Sequence, residues 1–274
     1  MTPFPYNLHS HTVFCDGGNT AEEMAAAAFA AGFKTFGFSG HSVFPWYSEW
    51  SMNAYTQQLY LETVSRLKKE YEGKMEIALG IEYDYLSEYP EKLLGQFEYT
   101  IGAVHLIRAK DGKLCSIDTC AEETVEGIEH FGGARAFAEE YFRSLVACAT
   151  TKRTDIVGHF DLVLKYNEKA RYIDENEKWY RDLSMSAAAE IAKTGAVFEV
   201  NTGAVSRKAR SVPYPSAELI KYLNEKGARM TLNSDTHSVK TVDFYFREAL
   251  ELLRSCGVKE LTGFENGKFI QVKI

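Results

Sequence analysis

Seven short apolar runs, at residues 6–8, 35–39, 75–81, 99–104, 155–158, 196–200 and 229–232, alternate along this 274-residue chain with longer stretches of helical periodicity. The runs are rich in β-branched and aromatic residues and mostly flanked by turn residues, the pattern of strands buried on both faces of a parallel sheet. Helices are expected at 21–31, 54–71, 122–149, 179–193 and 217–226. The first opens on the capping box Thr20-x-x-Glu23 and closes at Gly32; the last is capped by Ser216 and closed by Gly227. No Pro/Ser-rich spacer, low-complexity tract or internal repeat interrupts the alternation, so residues 1–274 read as one α/β domain, a seven-stranded (β/α)7 barrel. Residues 83–94 are the loop least explained by this pattern, and the end of the chain reads as a helix at 241–256 and a hairpin at 260–274 turning at Glu265-Asn266-Gly267-Lys268.

The chemistry-bearing residues follow the strands. His9 and His11 come after the first run, His41 after the second, Glu82 after the third, His105 after the fourth, His159 after the fifth, and Asp235 and His237 after the seventh; Asp16 lies in the first loop. Any one histidine here could be a satisfied core or surface residue. Together they lie at carboxyl ends of strands, the face on which parallel barrels gather their active sites. Imidazoles and carboxylates are the ligand set of zinc, manganese and iron. Residues two apart in an extended chain share a face, so His9 with His11, and Asp235 with His237, can each hold one ion together. A glutamate such as Glu82 can bridge two cations, an arrangement recurrent in phosphatases and nucleases. The seventh histidine, His130, falls inside a helical stretch and reads as structural or solvated.

Composition excludes several function classes. The longest apolar stretch, 24–33, is about ten residues and too short to cross a bilayer, and the start shows no basic region followed by an apolar one, so neither a membrane role nor a secretory leader is expected. Five cysteines without a C-x-x-C pair fit a reducing compartment, with cytoplasm the expected location. A net charge of −7 without a basic stripe argues against a nucleic-acid partner.

The strings His9-Ser10-His11-Thr12, Ser39-Gly40-His41, Gly80-Ile81-Glu82, Ala103-Val104-His105, Gly158-His159-Phe160-Asp161 and Asn233-Ser234-Asp235-Thr236-His237 resemble the successive motifs of the PHP (polymerase and histidinol phosphatase) family. Residues 157–167, Asn201-Thr202-Gly203 with Arg207-Lys208, and Pro213-Tyr214-Pro215-Ser216 resemble its histidinol-phosphate phosphatase branch. The resemblance implies a distorted, TIM-like seven-stranded barrel with two to three divalent ions (Zn, Mn or Fe). One ion would be held by His9, His11, Glu82 and Asp235, a second by Glu82, His105 and His159, a third by Asp16, His41 and His237. Many family members carry a histidine where Asp16 stands, and Glu22 or Glu23 are weaker substitutes for it. Glu82, Asp235 and His237 are the expected catalytic residues.

A phosphate monoester needs cationic side chains beyond the metals. Arg207, after the sixth strand, and Lys165, after the fifth, are the expected clamps, with Arg108 in reserve and each with a solvated-loop alternative. Asp118 could meet a cationic amine or be a plain turn residue, and Phe44, Trp46, Trp50 and Tyr85 could wall the pocket or serve ordinary packing. The expected activity is hydrolysis of L-histidinol phosphate in histidine biosynthesis. Two alternatives stand beside it: a PHP-type phosphoesterase acting on a nucleotide, oligonucleotide or phosphoprotein, and a non-catalytic metal-binding module. The second is disfavoured by a ligand set without cysteine, since structural zinc cages are closed and cysteine-rich.

Overall fold

The computed structural model describes residues 1–44 and 49–274. Its main sheet contains β1 (Tyr6–Asn7), β2 (Thr35–Phe38), β3 (Glu76–Asp84), β4 (Tyr99–Ala103), β7 (Ile156–Val157), β8 (Val197–Asn201) and β9 (Met230–Asn233), in that spatial order and parallel throughout. Two antiparallel hairpins complete the strands: β5 (Leu106–Arg108) with β6 (Leu114–Ser116), and β10 (Glu260–Glu265) with β11 (Lys268–Lys273). The single-domain α/β barrel expected from the alternation is what the chain forms.

The barrel is nearly closed, and side chains complete the seam. Between β1 and β9 the regular ladder gives way to one bridge, Ser10 to Thr236, supported by the His11 N–H donating to the Thr236 carbonyl at 2.9 Å. Below it, Asn233 Oδ1 accepts from the Leu8 N–H at 2.8 Å and the Asn7 amide donates to Ser234 Oγ at 2.6 Å. Short strands at the seam leave backbone groups that these amides satisfy, as buried polar groups require.

The two-residue period of the strands sorts the interior. On β3, Ala78, Gly80, Glu82 and Asp84 face inward; on β8, Val197, Glu199 and Asn201 do. The lower layer is apolar, with Leu8, Ala78, Tyr99, Ile101, Ile156 and Val197 packed on Phe264 of the terminal hairpin, and the upper layer is polar. Outside the barrel, Phe36, Phe38 and Ile77 join the larger cluster shared with helix residues such as Met24, Val64 and Leu145. Glycine at 37 and 80 makes room for the Tyr99 ring, whose hydroxyl crosses the floor to donate to the Leu8 carbonyl at 2.6 Å; a Cβ at Gly80 would stand 2.2 Å from the ring.

Three expectations change. The helix expected over 122–149 is two, Ala121–His130 and Ala134–Thr151, because Gly132 and Gly133 take φ of 81° and 138°, outside helical geometry. The last helix starts later than expected, at Phe246. The β5–β6 hairpin, unanticipated, turns at Asp111-Gly112, a recognisable hairpin dipeptide. The terminal hairpin turns at Asn266-Gly267 as expected, with φ of 53° and 72°. No helix among the described residues is long and apolar enough to cross a membrane.

The crowding around Tyr99 gives a stability prediction. Gly80→Ala should destabilise the fold by roughly 1–3 kcal/mol, the usual cost of overpacking a full core. A urea midpoint equal to that of the parent would show that the ring has free space to move.

Candidate metal centre

Each of the nine expected ligands reaches the upper, polar layer. His9, His41, His105, His159 and Asp235 follow the ends of β1, β2, β4, β7 and β9, while Glu82 lies within β3, which runs on to Asp84 instead of stopping before it. The six imidazoles form a continuous set: ring centroids are 4.1 Å apart for His11–His237, 4.4 Å for His11–His41, 5.2 Å for His9–His11, 5.2 Å for His41–His105, 5.0 Å for His105–His159 and 5.9 Å for His9–His159. Glu82, 1% exposed, sits at the centre. Its Oε2 is 3.2 Å from His9 Nε2, 3.4 Å from His11 Nε2 and 3.1 Å from His41 Nδ1. Its Oε1 is 3.0 Å from His159 Nε2 and 3.5 Å from His105 Nε2.

The other carboxylates flank this centre. Asp235 Oδ1 lies 3.6 Å from His9 Nε2 and 3.3 Å from His11 Nε2. Asp16 Oδ2 is 3.2 Å from His237 Nε2 and 3.8 Å from His41 Nε2. The alternatives to Asp16 are occupied elsewhere: Glu22 pairs with Arg66 and Glu23 closes the capping box on Thr20. Four groups of three or four of these side chains can each present ligand atoms within 4.8 Å of one another: His11, Asp16, His41 and His237; His9, His11 and Asp235; His9, Glu82 and His159; His41, Glu82 and His105.

The residues fit cations on their own geometry. His9 Nε2, His11 Nε2 and Glu82 Oε2 are buried and lack a hydrogen-bond partner. Lone pairs on buried nitrogen and carboxylate oxygen repel at these distances unless a proton or a metal ion lies between them, and leaving them unpaired costs several kcal/mol by the usual order of magnitude. Burial alone would raise the Glu82 carboxyl, but His41, His9 and His159 hold it well below the usual carboxylate range. Burial acts likewise on Asp235, and Arg207 with His9 and His11 outweighs it. Burial, with His237 and His41 beside it, pushes His11 down to about 3, so this imidazole is neutral and able to donate a lone pair. Backbone strain collects here too: His159 and Asp235 have φ of 22° and 47°, unusual for non-glycine residues and typical of functional positions.

A pocket of about 260 Å³ opens on the cluster, lined by Trp50, Asp118, Thr119, Leu162, Lys165 and Arg207 besides the ligands. Arg207, expected as a phosphate clamp apart from the metal ligands, instead leans on one of them: Nη2 donates to Asp235 Oδ2 at 2.8 Å and Nη1 to the Asp235 carbonyl at 3.2 Å, with His237 Nδ1 3.1 Å from Nη1. Gly203 permits this approach, since a Cβ there would meet Asp235 Oδ2 at 2.6 Å and Arg207 Nη2 at 2.8 Å. Lys165 donates to the Asp118 carbonyl at 2.8 Å and to its Oδ2 at 3.2 Å. Arg108 ends β5 with an exposed side chain and does not line the pocket. Of the aromatics, Trp50 stands edge-on to His41 at 4.8 Å, Phe44 packs behind it at 5.5 Å, Tyr85 does not line the pocket, and Trp46 lies outside the described residues. His130 pairs with Asp111 at 3.0 Å, away from the site.

Two carboxylates were not anticipated. Asp84 Oδ2 accepts from the His105 N–H at 2.6 Å, and Glu199, fully buried, accepts from His9 Nδ1 at 2.6 Å. An ionisable residue inside the apolar run Val197-Phe198-Glu199-Val200, on the same face as Asn201, is the signal that could have found the second.

Fold and site together define a parallel α/β barrel carrying at its strand ends a histidine–carboxylate cluster able to hold divalent metal. The PHP domain pattern matches residues 7–203, and the chain belongs to the PHP domain family. It is 28% identical to a Deinococcus radiodurans protein named probable histidinol-phosphatase, over 93% of this chain and 94% of that one. It is 26% identical to the histidinol-phosphatase of Bacillus subtilis, over 89% of this chain and 97% of the relative. Its fold is similar to that of the histidinol phosphate phosphatase of Lactococcus lactis, solved with zinc, L-histidinol and phosphate, with a TM-score of 0.71 at 20% identity over 97% of this chain and 99% of that one.

The position of Glu82 gives the prediction from this geometry. Glu82→Gln should fold yet bind zinc more weakly by more than the roughly 10–100-fold lost when a residue one layer behind the ligands is removed. Competition against a chromophoric chelator measures it, and parent-like affinity would remove Glu82 from the ligand set.

Proposed function

We propose that this chain is a metal-dependent phosphomonoesterase that hydrolyses L-histidinol phosphate to L-histidinol and phosphate. The observation that carries the reading is the convergence of six imidazoles and the carboxylates of Asp16, Glu82 and Asp235, with buried lone pairs unpartnered, at the mouth of a pocket with Arg207 and Lys165 on its wall. The names of relatives aligned along most of this chain support the choice of ester.

Divalent ions would be held by His9, His11, Glu82 and Asp235, by Glu82, His105 and His159, and by Asp16, His41 and His237. When bound, such ions neutralise the oxygens of a phosphate ester and lower the pKa of an attacking water. The protein's own groups do the rest. Glu82 presents one oxygen to each side of the cluster and keeps the histidines in register. Asp235 is held charged and aimed by Arg207, which spends only part of its five donors on Asp235 and His237 and keeps the others for a phosphate oxygen. His237, a quarter exposed, lines the pocket between Asp16 and Arg207. Lys165 places Asp118, whose carboxylate Lys165 and the nearby His105 and His159 hold low against the effect of burial, where a substrate ammonium group could meet it. A pocket of about 260 Å³ suits a small ester better than a nucleic-acid strand, which requires an extended basic groove. Arg108, turned to solvent, has no part in this arrangement.

A panel of phosphate esters tested with the zinc- or manganese-loaded protein decides the substrate. Histidinol phosphate should exceed nucleotides, phosphopeptides and p-nitrophenyl phosphate by on the order of a hundredfold in kcat/KM, equivalent to about 2.7 kcal/mol. Equal rates across the panel, or a nucleotide ahead of the rest, would overturn the assignment.

A further inference from the structure

Glu199 is not among the ligands, yet four donors end on it. Oε1 accepts from His9 Nδ1 at 2.6 Å and from the Asn233 amide at 2.9 Å; Oε2 accepts from the His159 N–H at 2.9 Å and from the Asn201 amide at 2.8 Å. The orientation of both asparagines is fixed independently, because Asn233 Oδ1 accepts from the Leu8 N–H at 2.8 Å and Asn201 Oδ1 from the Gly203 N–H at 2.8 Å. Backbone N–H groups are donors without ambiguity, so the amide nitrogens must face Glu199. Each Glu199 oxygen is therefore an acceptor, and the imidazole proton of His9 must sit on Nδ1. That turns Nε2 of His9 to the cluster, 3.2 Å from Glu82 Oε2 and 3.6 Å from Asp235 Oδ1, where no hydrogen-bond partner meets it and where a metal ion replacing any proton would take its lone pair.

We propose that Glu199 is a positioning residue that fixes the Nδ1–H tautomer and ring orientation of His9, and through the same carboxylate anchors the strained backbone of His159, so that both imidazoles are set for metal before any ion arrives. The inference rests on the metal-dependent reading of the site. A buried carboxylate behind a ligand imidazole stiffens the ligand and strengthens its lone pair. Here one carboxylate also joins four neighbouring pieces of the barrel, since its donors come from the ends of β1, β7, β8 and β9. A carboxamide cannot replace it. With one acceptor and one NH₂ group it must turn the NH₂ either toward His159 N–H and Asn201, donor against donor, or toward His9 and Asn233, which forces the His9 proton onto Nε2 where the metal should bind.

Glu199→Gln is tested with zinc itself as the probe. Far-UV circular dichroism establishes that it folds; chelator competition gives zinc affinity and stoichiometry; two-bond ¹H–¹⁵N correlation of the histidine rings reports the tautomer. The expected result is a folded protein in which the most weakened zinc equivalent has lost about 10–100-fold in affinity and the His9 signals have left the Nδ1–H pattern. Glu199→Asp, which keeps two acceptor oxygens, should recover part of the affinity. Zinc affinities within twofold of the parent, with His9 ring shifts unchanged, would overturn the proposal while leaving the metal-dependent reading intact. A parent that binds no zinc would instead sink that reading. If Glu199→Gln does not fold, the ring spectrum of the unaltered, zinc-loaded protein still decides: a proton on His9 Nδ1 supports the assignment, and a proton on Nε2 with Nδ1 bare overturns it.

Discussion

A single carboxylate, Glu82, almost wholly removed from water and facing five imidazole nitrogens at 3.0–3.5 Å, is the constraint around which the upper half of this barrel is organised. Burying such a group costs far more than any one contact returns unless positive charge compensates it. The chain brings those imidazoles from four strand ends at once, those of β1, β2, β4 and β7, so that charged rings or a bound cation can provide the compensation. The apolar lower layer around Tyr99 and Phe264 fills the floor of the barrel, and the seam between β1 and β9, closed by Asn7 and Asn233, holds His9, His11 and Asp235 in mutual reach. Apolar packing and chemistry thus occupy opposite ends of the barrel interior.

The electrostatics extend one layer further than the ligands. Arg207 sets the outer oxygen of Asp235 and leaves the inner one for the cluster, Glu199 does the same for the two nitrogens of His9, and Asp84 tethers the backbone of His105. Each contact is a charged hydrogen bond within or at the edge of a site sheltered from water, where such bonds are strongest. Arg207 consequently belongs to two functions, holding a carboxylate and facing the pocket, and a substitution there acts on both.

Much of this was legible in the sequence because the strand period is strict. Apolar runs followed by His9-x-His11, His41, His105, His159 and Asp235-x-His237 placed one face of each strand end at the barrel mouth, and the structure gathers all of them there together with Asp16 and Glu82. Less was legible where the determining contact is tertiary. Nothing local to Arg207 says that it will lean on Asp235 across the gap left by Gly203. Glu199 was hidden inside an apolar run, although a lone carboxylate in a buried strand demands partners. The break at Gly132-Gly133 and the hairpin at Asp111-Gly112 were both written in glycines, and were outweighed by the surrounding helical and loop-like periodicity.

The central claim is that this cluster exists to hold metal, and elemental analysis of the purified, reconstituted and dialysed protein tests it most directly. The account predicts two to three divalent transition-metal ions per chain, with activity lost on their removal by a chelator and restored on their return. Fully active protein containing less than one equivalent of metal per chain would contradict it.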